Sequence, residues 1–279
     1  MNAAFDGTST AAQQPQSIGD FVSRIRRREP MVGYWLLGDS AVMAERLARV
    51  GYDYLCLDQQ HGLMGYREIR DGLIAIDAGA GLGPTPTIGL VRTSANDLTC
   101  IGQALDAGAA GVIIPMIDDA DAAREAVRNA KYPPMGRRSF GPMRGELRRG
   151  SDLAVVNDET LVAVMIETAA GLENVEEIAA VDGLDALYVG PYDLTLAVGG
   201  AHPSDPASVA ARDAALERIL RAGHTAGKAV GIHADDGPMA AHRLALGFDF
   251  VSIEGDLVHL EQIARAHLEQ AVECRTRRR

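Results

Sequence analysis

The feature that most constrains the fold of this chain is a regular alternation of short apolar runs with helical patterns, which begins near Ser17. The runs are rich in Val, Ile, Leu and Met, as is typical of parallel strands that are buried on both faces. They predict eight strands, at residues 31–37, 54–57, 87–91, 111–116, 162–166, 187–189, 229–232 and 250–253. Strands that are each followed by a helix in this way predict an α/β fold, a (β/α)8 TIM barrel.

The rival architecture is a doubly wound open sheet. That fold usually carries a glycine-rich phosphate-binding turn after its first strand, and the segment Leu37-Gly38-Asp39-Ser40 is not such a turn. The length of 279 residues and the hydrophobic content of 47% are sufficient for one large core. We therefore predict a disordered leader over residues 1–17 and a single barrel domain over residues 18–279.

The composition argues against several classes of partner. With 38 acidic and 27 basic residues the net charge is −11, whereas nucleic-acid-binding domains are usually basic. No apolar stretch approaches the length of a membrane span, and the leader lacks the features of a secretory signal. The three cysteines, Cys56, Cys100 and Cys274, are too scattered for a disulfide framework or a zinc site. We expect a cytoplasmic protein that binds neither nucleic acid nor membrane.

One connection between predicted elements is unusually long. Residues 135–157 are rich in arginine and lack a clear helical or strand period. Connections of this length are typically functional or disordered, so the sequence leaves both states open.

Two acidic side chains lie at the ends of consecutive predicted strands. Glu167 follows the fifth strand directly, and Asp193 comes shortly after the sixth. Either acid alone would more often cap a helix or sit in a turn. Together, on neighbouring parallel strands, they offer two hard oxygen ligands that suit a divalent cation such as Mg²⁺ or Mn²⁺.

Other polar residues follow the second and third strands. Asp58 and His61 could form a carboxylate–imidazole pair that acts as an oriented base, although His61 could equally be an ordinary loop residue. Arg92 could stabilise an oxyanion, hold a carboxylate, or form a structural ion pair at the rim. The C-terminal ends of barrel strands meet at one face, so these groups would surround one mouth. A metal, a cation and a base in one mouth suit enolate chemistry on a 2-oxo acid.

These residues belong to a series of motifs that resembles the HpcH/HpaI aldolases, metal-dependent pyruvate aldolases of the phosphoenolpyruvate/pyruvate barrel superfamily. The resemblance covers about residues 33–254. The matching pieces are Gly51-Tyr52-Asp53-Tyr54, Asp58-Gln59-Gln60-His61-Gly62, Val91-Arg92, Asn96-Asp97, Leu105-Asp106-Ala107-Gly108, Pro115-Met116, Tyr132-Pro133-Pro134-Met135-Gly136-Arg137-Arg138, Ile166-Glu167-Thr168 and Gly190-Pro191-Tyr192-Asp193-Leu194. No single piece is decisive, but their order and spacing together are specific.

The resemblance implies an enzyme, a class II aldolase. It would cleave or form 4-hydroxy-2-oxo acids, from pyruvate or a related 2-oxo acid and an aldehyde, through a metal-bound enolate. The alternative is another metal-enolate lyase or a carbon–carbon bond-forming synthase, similar to citrate synthases, on the same barrel. A different class, a catalytically silent binding or scaffold barrel, should have lost a metal acid, the arginine or the histidine, and all are present.

The resemblance also implies a role for each residue. Glu167 and Asp193 would bind the metal, which could be Mg²⁺, Mn²⁺ or Co²⁺. Arg92 would contact the 2-oxo oxygen, and His61, paired with Asp58, would move the proton. The implied substrate-binding residues are Arg92, Gly190, Pro191, Tyr192 and Asp193, with backbone amides near the last two holding the substrate carboxylate.

The family is typically hexameric, with the last helix exchanged between paired subunits. Asp106 matches a position that reaches the site of a neighbouring subunit, so the resemblance makes it a further catalytic residue. The apolar face of the last predicted helix fits such docking, and fits packing on its own barrel equally well. That face consists of Leu257, Leu260, Ile263, Ala264 and Leu268.

Two positions depart from the pattern of the family. A common Asp-Gly-Glu-His motif reads Asp58-Gln59-Gln60-His61 here, so an amide replaces the carboxylate beside the expected base. A glutamine that is often found two residues before the metal-binding glutamate is Met165. Both changes make the pocket less polar or less charged, which bears on the choice of aldehyde and leaves the metal and enolate groups in place.

Overall fold

The eight strands form one closed parallel barrel in chain order, in a computed structural model that describes residues 17–276, with side chains to residue 272. They are β1 Met31–Leu36, β2 Tyr54–Asp58, β3 Ile88–Arg92, β4 Gly111–Ile114, β5 Leu161–Ile166, β6 Ala186–Val189, β7 Ala229–Ala234 and β8 Phe250–Gly255. Pairing of β1 with β8 closes the barrel. The predicted (β/α)8 fold is confirmed. The first sixteen residues of the predicted leader lie outside the described residues.

Helices connect the strands on the outside of the barrel. They are α1 Ile18–Arg26, α2 Ala41–Ala48, α3 Tyr66–Ala80, α4 Leu98–Asp106, α5 Ala120–Ala130, α6 Gly145–Arg149, α7 Leu153–Asp158, α8 Ala169–Glu173, α9 Val175–Ala179, α10 Pro191–Ala197, α11 Val209–Thr225, α12 Gly237–Ala245 and α13 Asp256–Thr276, with a 3₁₀ turn at Pro206–Ser208. Several begin at a capping side chain. The Ser40 hydroxyl accepts the N–H of Met43, and the Asp97 carboxylate accepts the N–H of Thr99.

Side chains along each strand alternate between the barrel interior and the layer of helices. On β5, Ala163 and Met165 belong to the interior core, whereas Val164 and Ile166 pack against the helices. The next interior position after Met165 is Glu167. The alternation therefore directs this strand-end acid into the mouth of the barrel.

Helix α1, which the sequence analysis does not predict, covers the N-terminal end of the barrel interior. Its buried face contains Phe21, Val22 and Ile25, in the same core cluster as the interior residue Tyr54. The rings of Phe21 and Tyr54 meet edge to face, with centroids 6.1 Å apart. Because α1 covers this end, the pocket lies at the opposite, C-terminal end of the strands.

The arginine-rich connection is an ordered part of the barrel wall and contains α6 and α7. Arg144 and Arg148 both form ion pairs with Asp77 on α3. Arg149 donates from Nη1 to the Thr160 hydroxyl at 2.7 Å. The disordered state that the sequence left open for this segment is therefore wrong, because its arginines are held by intrachain partners.

The last helix, α13, leaves the barrel with its apolar side chains exposed. Leu260, Ile263 and Leu268 are 55%, 53% and 64% exposed. Of the two docking modes that the sequence allowed, packing of this face on its own barrel is therefore absent from the described residues. Over residues 17–276, none of the helices has both the length and the apolar character needed to cross a membrane.

Candidate active site

A pocket of about 200 Å³ opens where the strands end. The predicted residues that line it are Asp58, His61, Arg92, Glu167, Gly190, Pro191, Tyr192 and Asp193. Its floor includes Trp35 and Tyr188, whose rings stack with centroids 5.7 Å apart. The structure thus brings together all the predicted site residues except one, Asp106.

Asp58 and Arg92 form a buried ion pair between neighbouring strands. They are direct partners in the register of β2 and β3. Arg92 donates from Nε and Nη2 to the two carboxylate oxygens, at 2.9 Å and 2.5 Å, and its guanidinium lies 5.1 Å from the ring centroid of Trp35. Burial raises the pKa of Asp58, but the bonds from Arg92 outweigh burial and leave this pKa below its usual value. The pair is therefore fully charged, and Arg92 has a fixed orientation.

The Asp58 carboxylate does not hold the imidazole of His61 as the sequence analysis expected. Its hydrogen bond with His61 comes from the backbone N–H, at 3.3 Å from Oδ1, and Trp35 Nε1 donates to Oδ2 at 3.2 Å. Both carboxylate oxygens are already bound by Arg92. Asp58 therefore positions the arginine and the backbone of the following loop, while the His61 side chain stands exposed at the pocket rim.

Glu167 lies inside the mouth and is almost completely buried, with 3% of its surface exposed. Its Oε1 accepts the N–H of Met116 at 2.9 Å. Met116 has a positive φ of 58°, a conformation that non-glycine residues rarely adopt, and this turn after β4 presents its N–H to the carboxylate. Burial, with the nearby charge of Asp193, raises the pKa of Glu167 to about 7.

Gly190 allows Glu167 to lie against the end of β6. Ile166 and Val189 are partners in the register of β5 and β6, so the next residues on the two strands are neighbours. A Cβ at Gly190 would lie 2.5 Å from Oε2 of Glu167. Any larger residue at position 190 would displace this oxygen. The oxygen therefore lies beside the first turn of α10, which contains Asp193.

The donor set fits a divalent cation with oxygen ligands. Glu167 and Asp193 are two like charges at one pocket, and the nearby guanidinium of Arg92 is committed to Asp58. Among the described residues no group of three or more His, Cys, Asp or Glu side chains could hold a metal. Mg²⁺ and similar ions are commonly bound through one or two carboxylates, with water and substrate oxygens completing the sphere.

Asp106 lies away from this pocket. At the end of α4, its carboxylate accepts from Arg138 Nη2 at 2.7 Å, and the guanidinium of Arg138 stacks 4.5 Å from the ring centroid of Tyr132. The carboxylate keeps 24% of its side-chain surface exposed. Asp106 takes no part in the mouth of its own barrel.

The two departures from the family motif lie in different surroundings. Met165 forms part of the pocket lining. Gln60 donates its backbone N–H to Asp58 at 2.9 Å, and its side chain does not line the pocket. The apolar replacement at Met165 is therefore the one that changes the pocket surface.

A histidine and a glutamate of the pocket received no role from the sequence. His233 on β7 and Glu254 on β8 both line the mouth, and Nε2 of His233 lies 3.6 Å from Oε1 of Glu254. The alternation of side chains along each strand would have predicted that both point into the barrel. Gly231 precedes His233, and Ser252 precedes Glu254, at interior positions two residues earlier.

Comparison with known proteins places the chain in a family. The family model described as HpcH/HpaI aldolase/citrate lyase matches residues 31–261. A hydroxypyruvate/pyruvate aldolase from Rhizorhabdus wittichii is 40% identical over 243 residues, which make up 87% of this chain and 94% of the relative. A 4-hydroxy-2-oxo-heptane-1,7-dioate aldolase from Shigella sonnei is 35% identical over 251 residues, or 88% of this chain and 92% of the relative.

A solved structure agrees with these matches. An HpcH/HpaI aldolase/citrate lyase family protein from Burkholderia cenocepacia has a TM-score of 0.82 and 34% identity, and the match covers 91% of this chain and 99% of that chain. The resemblance seen in the sequence motifs is confirmed. The chain belongs to the HpcH/HpaI aldolase/citrate lyase family, and it is an enzyme of the class II pyruvate aldolase type.

Proposed function

We propose that this enzyme cleaves or forms 4-hydroxy-2-oxo acids, from pyruvate or a related 2-oxo acid and an aldehyde. The observation that carries this proposal is the convergence of two acids, an oriented arginine and a histidine in one pocket of a barrel of this family. The relatives named above support it, since both are aldolases of 2-oxo acids by name.

Glu167 and Asp193 are the residues that would hold the metal, Mg²⁺, Mn²⁺ or Co²⁺. When bound, a divalent cation polarises the 2-oxo group of the substrate as a Lewis acid. Backbone N–H groups in the first turn of α10, near Tyr192 and Asp193, have no partner within the helix and can bind the substrate carboxylate.

Arg92 would stabilise the negative charge that develops on the 2-oxo oxygen. Asp58 binds the edge of the guanidinium formed by Nε and Nη2, so Nη1 is the group that can donate to a substrate oxygen. A donor that is already oriented costs no reorganisation when charge develops. Asp58 thus acts through Arg92.

His61 would transfer the proton at C3 of the 2-oxo acid. It lies at the rim, after the end of β2, and lines the same cavity as Arg92. A histidine at a rim can exchange protons with solvent, as a general acid and base must do in each turnover.

The exposed face of α13 supports an assembly of several copies, and we propose a hexamer in which this helix is exchanged between paired subunits. A stable monomer seldom exposes a row of large apolar side chains of this kind. Asp106, which lies outside the mouth of its own barrel, would then serve the site of a neighbouring copy.

The decisive experiment uses enzyme from which metal has been removed. Incubation with pyruvate and a panel of aldehydes should give aldol products only after addition of Mg²⁺, Mn²⁺ or Co²⁺. Full activity without metal, or a lysine adduct trapped by borohydride, would overturn the proposal. The chain has only two lysines, Lys131 and Lys228, and neither lines the pocket. The Lys131 ammonium is buried and donates to the Asn157 and Thr160 carbonyl oxygens, both at 2.6 Å.

A further inference from the structure

The pocket has a polar wall that takes no part in the metal binding or proton transfer proposed above. It is formed by the ends of β7 and β8 and by the first turn of α10. Its polar side chains are His233, Glu254 and Tyr192, which all line the cavity. Asp235 lies behind them and accepts a hydrogen bond from the Tyr192 hydroxyl at 2.9 Å.

Glu254 continues the interior positions of β8, two residues after Ser252, at the point where the pairing of β8 with β1 becomes irregular. Along β1, Tyr34 pairs with Ile253, and the next residue pairs with Gly255. Glu254 is therefore an extra residue on β8. Extra residues of this kind are common beside active sites.

Hydrogen bonds then fix the Glu254 carboxylate. Oε1 accepts the N–H of Gly255 at 2.9 Å, and Oε2 lies 3.2 Å from the Tyr192 hydroxyl, whose one proton it shares with Asp235. Burial raises the pKa of Glu254, but the neighbouring His233 and the hydrogen bond from the Gly255 N–H outweigh burial and hold this pKa at about 2. The group is an anion at neutral pH.

Glu254 also lacks a strong counter-ion. Over the described side chains, its one ion-pair partner is His233, at 3.6 Å, and no arginine or lysine joins them. The negative charges of the other acids in the pocket are balanced by cations. Asp58 is bound to Arg92. A divalent cation would balance the acids on β5 and α10. The wall at β8 therefore carries unbalanced negative charge.

The barrel order places this wall where an aldehyde would enter. In a closed barrel of eight strands in chain order, β8 and β1 lie across the axis from β4 and β5. A 2-oxo acid held at Glu167, with its oxygen at Arg92, occupies the side of β3 to β6. The second reactant approaches from the remaining side, which Glu254 and His233 line.

We propose that Glu254 selects the acceptor aldehyde by charge, disfavouring aldehydes that carry a carboxylate, phosphate or sulfonate and favouring uncharged, hydroxylated ones. This inference rests on the aldolase function proposed above. A hydroxyl group of the acceptor can donate to the Glu254 carboxylate. An anionic group meets the same carboxylate without an arginine or lysine beside it among the described residues, and like charges repel more strongly at a mostly buried carboxylate than in water. Glu254 is thus a specificity-determining residue.

The test compares acceptors that differ in charge at matched chain length. Glycolaldehyde is paired with glyoxylate, and butanal with succinate semialdehyde, each with pyruvate and Mn²⁺ at pH 8. We expect the native enzyme to show a kcat/KM about tenfold or more higher for the uncharged member of each pair. Equal values for the two members would overturn the proposal before any variant is made.

Glu254→Gln removes the charge and keeps the size of the side chain and an acceptor for Tyr192. We expect it to raise kcat/KM for the carboxylate-bearing acceptors, relative to the uncharged ones, by about tenfold or more. The matched control is Asp235→Asn, which changes the other acceptor of the Tyr192 hydroxyl behind the wall. An unchanged ratio in Glu254→Gln, or an equal shift in the control, would overturn the role of Glu254. Glu254→Ala provides the second variant should the first fail to fold.

Exchange of the pyruvate methyl protons with D₂O, measured without aldehyde, separates two kinds of failure. If the native enzyme shows no metal-dependent exchange, the proposed function itself is wrong. If exchange occurs and the charge ratios do not respond to Glu254→Gln, the function stands and the selection by charge is wrong.

Discussion

The Asp58 carboxylate binds the Arg92 guanidinium through two hydrogen bonds across neighbouring strands, at 2.9 Å and 2.5 Å. Asp58 is fully buried, and Arg92 is 9% exposed. In a buried pair of this kind, each partner compensates for the cost of removing the other from water. The orientation of the arginine therefore depends on an aspartate that does not itself need to touch the substrate.

This pair gives the first prediction. Arg92→Ala should lower kcat by about two to three orders of magnitude, as does the loss of an oxyanion donor. Asp58→Asn should lower kcat in the same direction, because the arginine loses its fixed orientation. The double variant should be no slower than Arg92→Ala alone. Thermal unfolding and metal titration of each variant will separate lost stability from lost turnover.

The opposite result has a clear meaning. Two results together would show that the aspartate serves the histidine. The double variant of Asp58 and Arg92 would be slower than Arg92→Ala alone, with additive effects on log kcat. The double variant of Asp58 and His61 would be no slower than His61→Ala alone. The pairing predicted from the sequence would then describe the working enzyme, in spite of the hydrogen bonds seen here.

The second prediction separates proton transfer from metal binding. His61→Ala should largely abolish exchange of pyruvate C3 protons with D₂O, since general acid–base groups contribute about 10²- to 10⁴-fold. It should still bind Mn²⁺, measured by calorimetry or electron paramagnetic resonance. Glu167→Gln should lose both properties. Normal exchange in His61→Ala would remove this residue from the mechanism.

The third prediction concerns Gly190. In Gly190→Ala the new Cβ would lie 2.5 Å from Oε2 of Glu167, so the carboxylate must move. We expect the affinity for Mn²⁺ to fall by about 10- to 100-fold, as when a group that orients a metal ligand is changed. Gly237→Ala is the matched control, because a Cβ at Gly237 meets nothing within 4 Å. Equal affinities in the two variants would show that Glu167 does not depend on this contact.

The fourth prediction tests whether Asp106 serves a neighbouring copy. Asp106→Asn and Glu167→Gln should each be inactive alone, and co-expression of the two should restore part of the activity. In some sites of the mixed assembly, Glu167 would come from the Asp106→Asn chain and Asp106 from the neighbouring Glu167→Gln chain. Co-expression of Arg92→Ala with Glu167→Gln should restore nothing, since both residues lie in one pocket. No recovery in the first mixture would confine Asp106 to a structural ion pair with Arg138.

The strands could be predicted closely because burial on both faces makes each of them a short apolar run. Every strand end lies within two residues of its predicted bound. Helix α1 was missed although Phe21, Val22 and Ile25 have helical spacing. Its 9 residues lie between a polar leader and a run of arginines, so the pattern is too short to stand out.

The residues of the pocket were predictable from their places at strand ends, but their pairing was not. Asp58 and His61 are three residues apart, which made them the natural pair in the sequence. The partner that Asp58 binds is 34 residues away, and it is fixed by the register of β2 and β3. The contact of Glu254 with the Tyr192 hydroxyl likewise joins residues 62 positions apart, which only the closed barrel brings together.

The seam between β1 and β8 has a consequence for biosynthesis. Strand β1 leaves the ribosome early, but β8, with which it pairs, begins only at Phe250. Phe250 also belongs to the interior core that α1 covers. A nascent chain that ends before β8 therefore carries an unpaired strand edge and an uncovered apolar face, which favour aggregation. We expect stalled chains that stop before Phe250 to be cleaved readily by protease. Protection should appear in one step once Gly255 has left the exit tunnel, and gradual protection along the chain would contradict this.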